Sequence, residues 1–98
     1  MPPPPRPFRL VYRAFDRIEF DPAKSDAVFD LRGFDLAYAR RVFPGYVLER
    51  EDYGEPRFCA IGEVLQDVLA VIYTPRGGTC RLITAWEAEG WELDLWYE

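Results

Sequence analysis

The chain contains a run of six apolar residues, Val68-Leu69-Ala70-Val71-Ile72-Tyr73, followed at once by Thr74-Pro75-Arg76-Gly77-Gly78. Apolar side chains on both faces of an extended segment suit a central strand, and the run is far shorter than the ~20 residues a membrane span requires. The Pro-Arg-Gly-Gly segment has the residues of a tight reversal, so residues 79–85 return as an antiparallel partner. On that partner Cys80, Leu82 and Thr84 share one face by alternation, and Arg81, Ile83 and Ala85 share the other. Arg81 is an arginine between apolar neighbours. Either its stem lies along the sheet with the charge at the rim, or it sits on a ligand-binding face.

Other segments read as strands and helices around this hairpin. Residues 57–64 alternate Phe58, Ala60 and Gly62 against Cys59 and Ile61, residues 46–48 form a short strand, and Asp52-Tyr53-Gly54-Glu55-Pro56 makes a turn between them. Nearer the N-terminus, residues 17–20 alternate Arg17 and Glu19 against Ile18 and Phe20. Asp21-Pro22 then starts a helix, Asp as the cap and Pro with its ring angle already helical. Ala23, Ala27, Val28 and Leu31 form its expected apolar face, and Gly33 supplies the left-handed stop. Asp35 caps a second helix, with Leu36, Ala39 and Phe43 on one face, until Pro44-Gly45 ends it. Residues 1–17 form a proline- and arginine-rich arm, and residues 18–98 form one domain. The last segment fits a helix through Ala88, Trp91 and Leu95 or a strand through Trp91, Leu93 and Leu95. Trp86, Trp91 and Trp96 recur every five residues, about 140° apart on a helix. They cannot all enter one core, which makes them candidates for binding a partner.

Charge and composition narrow the chemistry. The chain has 17 acidic residues against 12 basic ones, a net charge of -5, yet five of the acids lie at Glu87, Glu89, Glu92, Asp94 and Glu98, where no basic residue occurs. The rest of the chain balances, so an anionic ligand is not excluded. Without His there is no Ser/His or Cys/His pair and no imidazole ligand, and Cys59 and Cys80 lack the spacing of a zinc cluster or a disulfide framework. They read as buried reduced thiols, and neither a metal nor a cofactor is expected. The opening Met1-Pro2-Pro3-Pro4-Pro5-Arg6-Pro7 is unlike a secretory leader, so the expected location is the cytoplasm, away from membranes.

Five blocks stand in a characteristic order: Phe20-Asp21-Pro22-Ala23-Lys24; Arg32-Gly33-Phe34-Asp35; Asp52-Tyr53-Gly54-Glu55-Pro56-Arg57-Phe58; Tyr73-Thr74-Pro75-Arg76-Gly77-Gly78; and Arg81-Leu82-Ile83-Thr84-Ala85. In this the chain resembles the BrnT family, over residues 18–85 and more weakly beyond. The resemblance implies an α+β, RelE-like fold, with two N-terminal helices packed on a small antiparallel sheet and a C-terminal helix. It implies the toxin of a type II toxin-antitoxin module, a metal-independent endoribonuclease that blocks translation and is neutralised by a BrnA-like DNA-binding antitoxin. A homodimer and a toxin-antitoxin hetero-oligomer both fit. The chain departs from the family at Val28, Leu31 and Arg32, at Leu65-Gln66, and above all after Ala85, where an Arg-rich segment is replaced by an acidic, aromatic one.

RNA carries its own nucleophile, the 2′-hydroxyl, so cleavage needs in-line positioning, charge stabilisation and modest proton transfer. Arg57 at a strand start, Arg76 in the hairpin turn and Arg81 on the returning strand can converge, because paired strands lie only ~5 Å apart. Lys24 and Arg32 are the next candidates for holding RNA, and Tyr73 or Glu92 for moving the proton. The alternative is a relative without catalysis that binds a protein through its acidic, Trp-rich C-terminus.

Overall fold

In the computed structural model, which describes residues 8–51 and 57–98, six strands form one sheet. The strands are β1 (Arg9–Arg13), β2 (Arg17–Phe20), β3 (Gly45–Glu51), β4 (Phe58–Val64), β5 (Asp67–Arg76) and β6 (Thr79–Glu87). Their spatial order is β1-β3-β4-β5-β6-β2. The helices are α1 (Pro22–Arg32), α2 (Leu36–Ala39), which runs on into a 3₁₀ turn at Arg40–Val42, and α3 (Trp91–Trp96).

The expectation of two helices on a small antiparallel sheet therefore needs correction. The sheet is mixed, two of its strands precede the helices, and those two strands are its edges. β1 pairs antiparallel with β3, and β2 pairs parallel with β6. The backbone amides of Asp16 and Arg17 donate to the Gly78 carbonyl at 2.8 and 3.3 Å, so β2 and β6 both start at the hairpin tip and run the same way. The expected turn at Asp52–Pro56 and the proline run before Phe8 lie outside the described residues.

Helix α1 begins and ends where its capping residues stand. The Asp21 carboxylate accepts from the Ala23 amide at 2.9 Å, and Gly33 closes the helix at φ +84° with its amide donating to Phe29. Its buried side, however, is Ser25 and Val28, while Ala23, Ala27 and Leu31 are exposed. The Ser25 hydroxyl accepts from the Leu36 amide at 3.0 Å, which ties the start of α2 to α1 and turns the helix about its axis. Asp35 caps α2 through the Tyr38 amide at 2.9 Å.

The helical segments cover one face of the sheet with Val28, Leu36, Ala39, Val42 and Phe43, against inward residues such as Val47, Val71, Tyr73 and Leu82. A register shift on β6 makes Leu82 the partner of Tyr73 and Thr84 the partner of Ile72, leaving Ile83 as a bulge. Ala85, expected to face away from Leu82, therefore joins it in this core. On the opposite face Ile61, Val68, Ala70 and Ala88 gather under α3 together with Phe8, Leu48, Trp86, Leu93 and Trp96. Cys59 and Cys80 are buried outside any disulfide, and burial pushes the Cys80 thiol up to about 12.

At Gly62 on β4 the 3₁₀ turn comes close to the sheet. A Cβ placed there would lie 3.0 Å from Val47 Cγ1 and 3.1 Å from Val42 Cβ. Overpacking of a filled core costs roughly 1–3 kcal/mol. Gly62→Ala is expected to lower the urea midpoint accordingly, and an unchanged midpoint would show that the turn can withdraw freely.

Candidate nucleic-acid interface

Strand alternation collects arginines on the sheet face opposite α1 and α2, at the hairpin end. Tyr73 points into the core, so Thr74 and Arg76 point outward. The register pairs Arg76 with Thr79 and Thr74 with Arg81, and on the other side pairs Thr79 with Arg17 and Arg81 with Glu19. Partners across a ladder share a face, and diagonal neighbours lie about 7–8 Å apart. Arg17, Arg76 and Arg81 thus form an exposed basic patch, with Glu19 in its midst. The Glu19 carboxylate lies 3.4 Å from Arg81 Nη1 and 3.9 Å from Arg17 Nη2. Such exposed ion pairs hold little energy and exchange readily for a phosphate. Arg57 is exposed just before Phe58, whose partner is Tyr73, and so stands at the same end of the sheet.

Tyr73 is placed differently from the arginines. It is fully buried on the helix-covered side, with the rings of Phe15, Phe43 and Phe58 centred 5.2–5.8 Å away. Its hydroxyl donates to Glu49, itself only 3% exposed, and Arg13 donates to both oxygens of the same carboxylate at 2.8 and 2.7 Å. Burial pushes the Glu49 carboxyl up, but the hydrogen bonds from Arg13 and Tyr73 outweigh it and hold the group below its ordinary value. Burial, then the bond to the Glu49 carboxylate, push Tyr73 far above the usual phenol range. Tyr73 is therefore a poor proton acceptor at neutral pH. It faces away from Arg76, with which it alternates along β5, and from Arg81, whose cross-strand partner is Thr74.

The C-terminal candidates belong to the packing of α3. Glu92 is buried and accepts from Trp86 Nε1 at 3.0 and 3.2 Å and from the Glu89 amide at 3.1 Å. The Trp91 ring meets Phe8 at 5.8 Å, and Trp96 Nε1 donates to Glu63 at 3.0 Å. Trp86 lies on β6 opposite Ala70, so the three tryptophans are not fanned around one helix, and all are half-buried. Five residues of strand separate Trp86 from Arg81, about 16 Å at ~3.3 Å per residue. The acidic segment thus sits at the far end of the sheet, beyond a Debye length of ~8 Å, and does not repel an anion at the arginine patch.

Lys24 and Arg32 are exposed on α1, in the helical layer on the other side of the sheet. Lys24 borders a shallow groove with Ala27, Leu31 and Ile83, and Arg32 stands in the last helical turn, where a cation suits the helix dipole. The sequence reading missed Arg17, whose alternation was visible but whose parallel pairing with β6 was not. It also missed Arg40 and Arg41, which line a groove of about 320 Å³ with Phe15, Asp16, Ile18 and Phe43. Among the described residues no His, Cys, Asp and Glu cluster is arranged to hold a metal ion, and no helix is long and apolar enough to cross a membrane.

Comparison with known proteins agrees with this architecture. The family described as the ribonuclease toxin BrnT of type II toxin-antitoxin systems matches residues 20–92. The crystal structure of the Brucella abortus ribonuclease toxin BrnT superposes with a TM-score of 0.63 at 25% identity, over 76% of this chain and 97% of that one. No curated protein matches the chain. With the family covering most of its length, the α+β sheet and helices described above belong to a BrnT ribonuclease toxin of the type II toxin-antitoxin class.

Proposed function

We propose that this chain cleaves RNA at the patch formed by Arg17, Arg76 and Arg81, without a metal ion, and that the cleavage blocks translation. The observation that carries the reading is the convergence of three arginines on one exposed face, two strands of which come from the hairpin that the family resemblance singles out. RNA's 2′-oxygen attacks the adjacent phosphorus, and the guanidiniums neutralise the charge that builds on the phosphorane oxygens. The bond to the 5′-oxygen breaks and that oxygen takes a proton from solvent, leaving a 2′,3′-cyclic phosphate and a 5′-hydroxyl. Arg57 stands ready to hold a neighbouring phosphate. Glu19 is the carboxylate placed among the arginines and takes the 2′-hydroxyl proton, a task for which Tyr73 and Glu92 are too buried. Lys24 and Arg32 on α1 have no part in this site.

A toxin of this class has an antitoxin partner, and we infer a BrnA-like DNA-binding protein that neutralises the ribonuclease. Induced expression in bacteria should arrest growth and fragment RNA, and co-expression of the antitoxin should restore both. Growth without RNA damage would refute the reading. On purified protein, affinity for single-stranded RNA should fall with salt at a slope of about -0.7 per neutralised phosphate. A flat salt dependence would count against a phosphate-binding surface.

A further inference from the structure

We propose that the groove between the β1–β2 link and the 3₁₀ turn is a second nucleotide site, which takes a residue of single-stranded RNA flanking the cleaved bond. The proposal rests on the ribonuclease reading above and extends it. Arg40 and Arg41 are exposed on one wall, Phe15, Ile18 and Phe43 form an apolar floor, and Asp16 stands at the rim. The volume of about 320 Å³ is that of a small-ligand cleft. Two guanidiniums suit a phosphate, and an aromatic and aliphatic floor suits a base. The Asp16 carboxylate, an acceptor, suits the amino edge of a base and sets the phosphate on the arginine side.

The path between the two sites follows from the topology. β2 is an edge strand, and Arg17 and Ile18 are neighbours on it that point to opposite faces. A nucleic-acid strand leaving the arginine patch over this edge arrives at the groove within one residue of protein chain. The Asp16 amide donates to the Gly78 carbonyl at 2.8 Å, which holds the groove's rim against the hairpin that carries Arg76 and Arg81. Duplex RNA is too stiff and wide to turn this edge, so the substrate class is single-stranded.

The test uses 2′-O-methyl oligonucleotides, which lack the nucleophile and stay intact. Their binding to the purified full chain is followed by fluorescence anisotropy for a dinucleotide and an octanucleotide. Arg40→Ala with Arg41→Ala should weaken the octanucleotide about tenfold, lower the salt slope by about 1, and affect the dinucleotide less. Arg40→Lys with Arg41→Lys, which keeps the charges, should recover most of the loss, and circular dichroism should confirm an unchanged fold. Octanucleotide affinity equal to the parent's, with the parent binding well, would overturn the groove and leave the arginine patch standing. An equal loss for both oligonucleotides would also overturn it. A parent that binds neither would overturn the ribonuclease reading and the groove together.

Discussion

Replacing Arg81 by Ala is expected to lower the kcat/KM of RNA cleavage about 10²–10³-fold, the loss typical when one preorganised donor to a developing anion is removed. Arg76→Ala should cost a similar factor, because the two guanidiniums are diagonal neighbours on one face and address the same phosphorane. Neither substitution should unfold the protein. Arg76 and Arg81 are exposed, and Arg81 makes a 3.4 Å contact with half-exposed Glu19. Surface pairs of this kind contribute about 0–1 kcal/mol. The variants therefore separate catalysis from folding, and a melting temperature within a few degrees of the parent would accompany the lost activity. Lys at position 81 should recover only part of it, since an ammonium cannot hold two oxygens in a fork.

The second large effect concerns the core. Glu49→Gln is expected to destabilise the protein by about 3 kcal/mol, the lower end for breaking a buried ion pair by removing one partner. Arg13, whose side chain is 34% exposed, can regain water, which keeps the cost from rising further. The substitution removes the charge that accepts from Arg13 and from the hydroxyl of Tyr73 at the centre of an aromatic cluster. It also loosens β1, which reaches the core through Arg13 and Val11. A loss of this size should lower the melting temperature by more than ~10 °C in a domain of this length. The pH dependence follows from the depressed Glu49 carboxyl. Its contribution is present above the unfolded value of about 4.3 and is lost as pH falls through the lower folded value. Urea midpoints of the parent should fall below pH ~4, and those of Glu49→Gln should fall less steeply. Parallel acid profiles would show that folding does not depress the Glu49 carboxyl.

Much of the architecture was legible along the chain, and the gaps have identifiable causes. Helix α1 declared both its ends, because Asp21-Pro22 and Gly33 satisfy or release backbone groups by local chemistry alone. The central hairpin was equally local, as Gly77-Gly78 follows an apolar run. β1 was not, because its inward residues include Arg13, which reads as polar until its partner Glu49, 36 positions away, is known. The same holds for the β6 bulge, which only the register with β5 reveals, and for the parallel contact of β2 with β6. For the site, Arg76 and Arg81 were found from the hairpin and are brought together by it. Tyr73 and Glu92 drew notice for their chemistry, but both are buried and bonded within the chain, the first to Glu49 and the second to Trp86. The tryptophans, spaced as if on one helix, are divided between β6 and α3, and that division lets all three pack. The acidic tail, which argued against an RNA-handling surface on composition alone, lies at the opposite end of the sheet from the arginines.

The most direct test is the chemistry of the product. Purified parent protein and the Arg76→Ala, Arg81→Ala double variant are incubated with single-stranded RNA in excess chelator, and the fragment ends are identified by mass spectrometry. The parent should yield 2′,3′-cyclic phosphate and 5′-hydroxyl ends while the folded variant yields almost none. Intact RNA with the parent, or equal cleavage by the variant, would contradict an arginine-built, metal-independent ribonuclease.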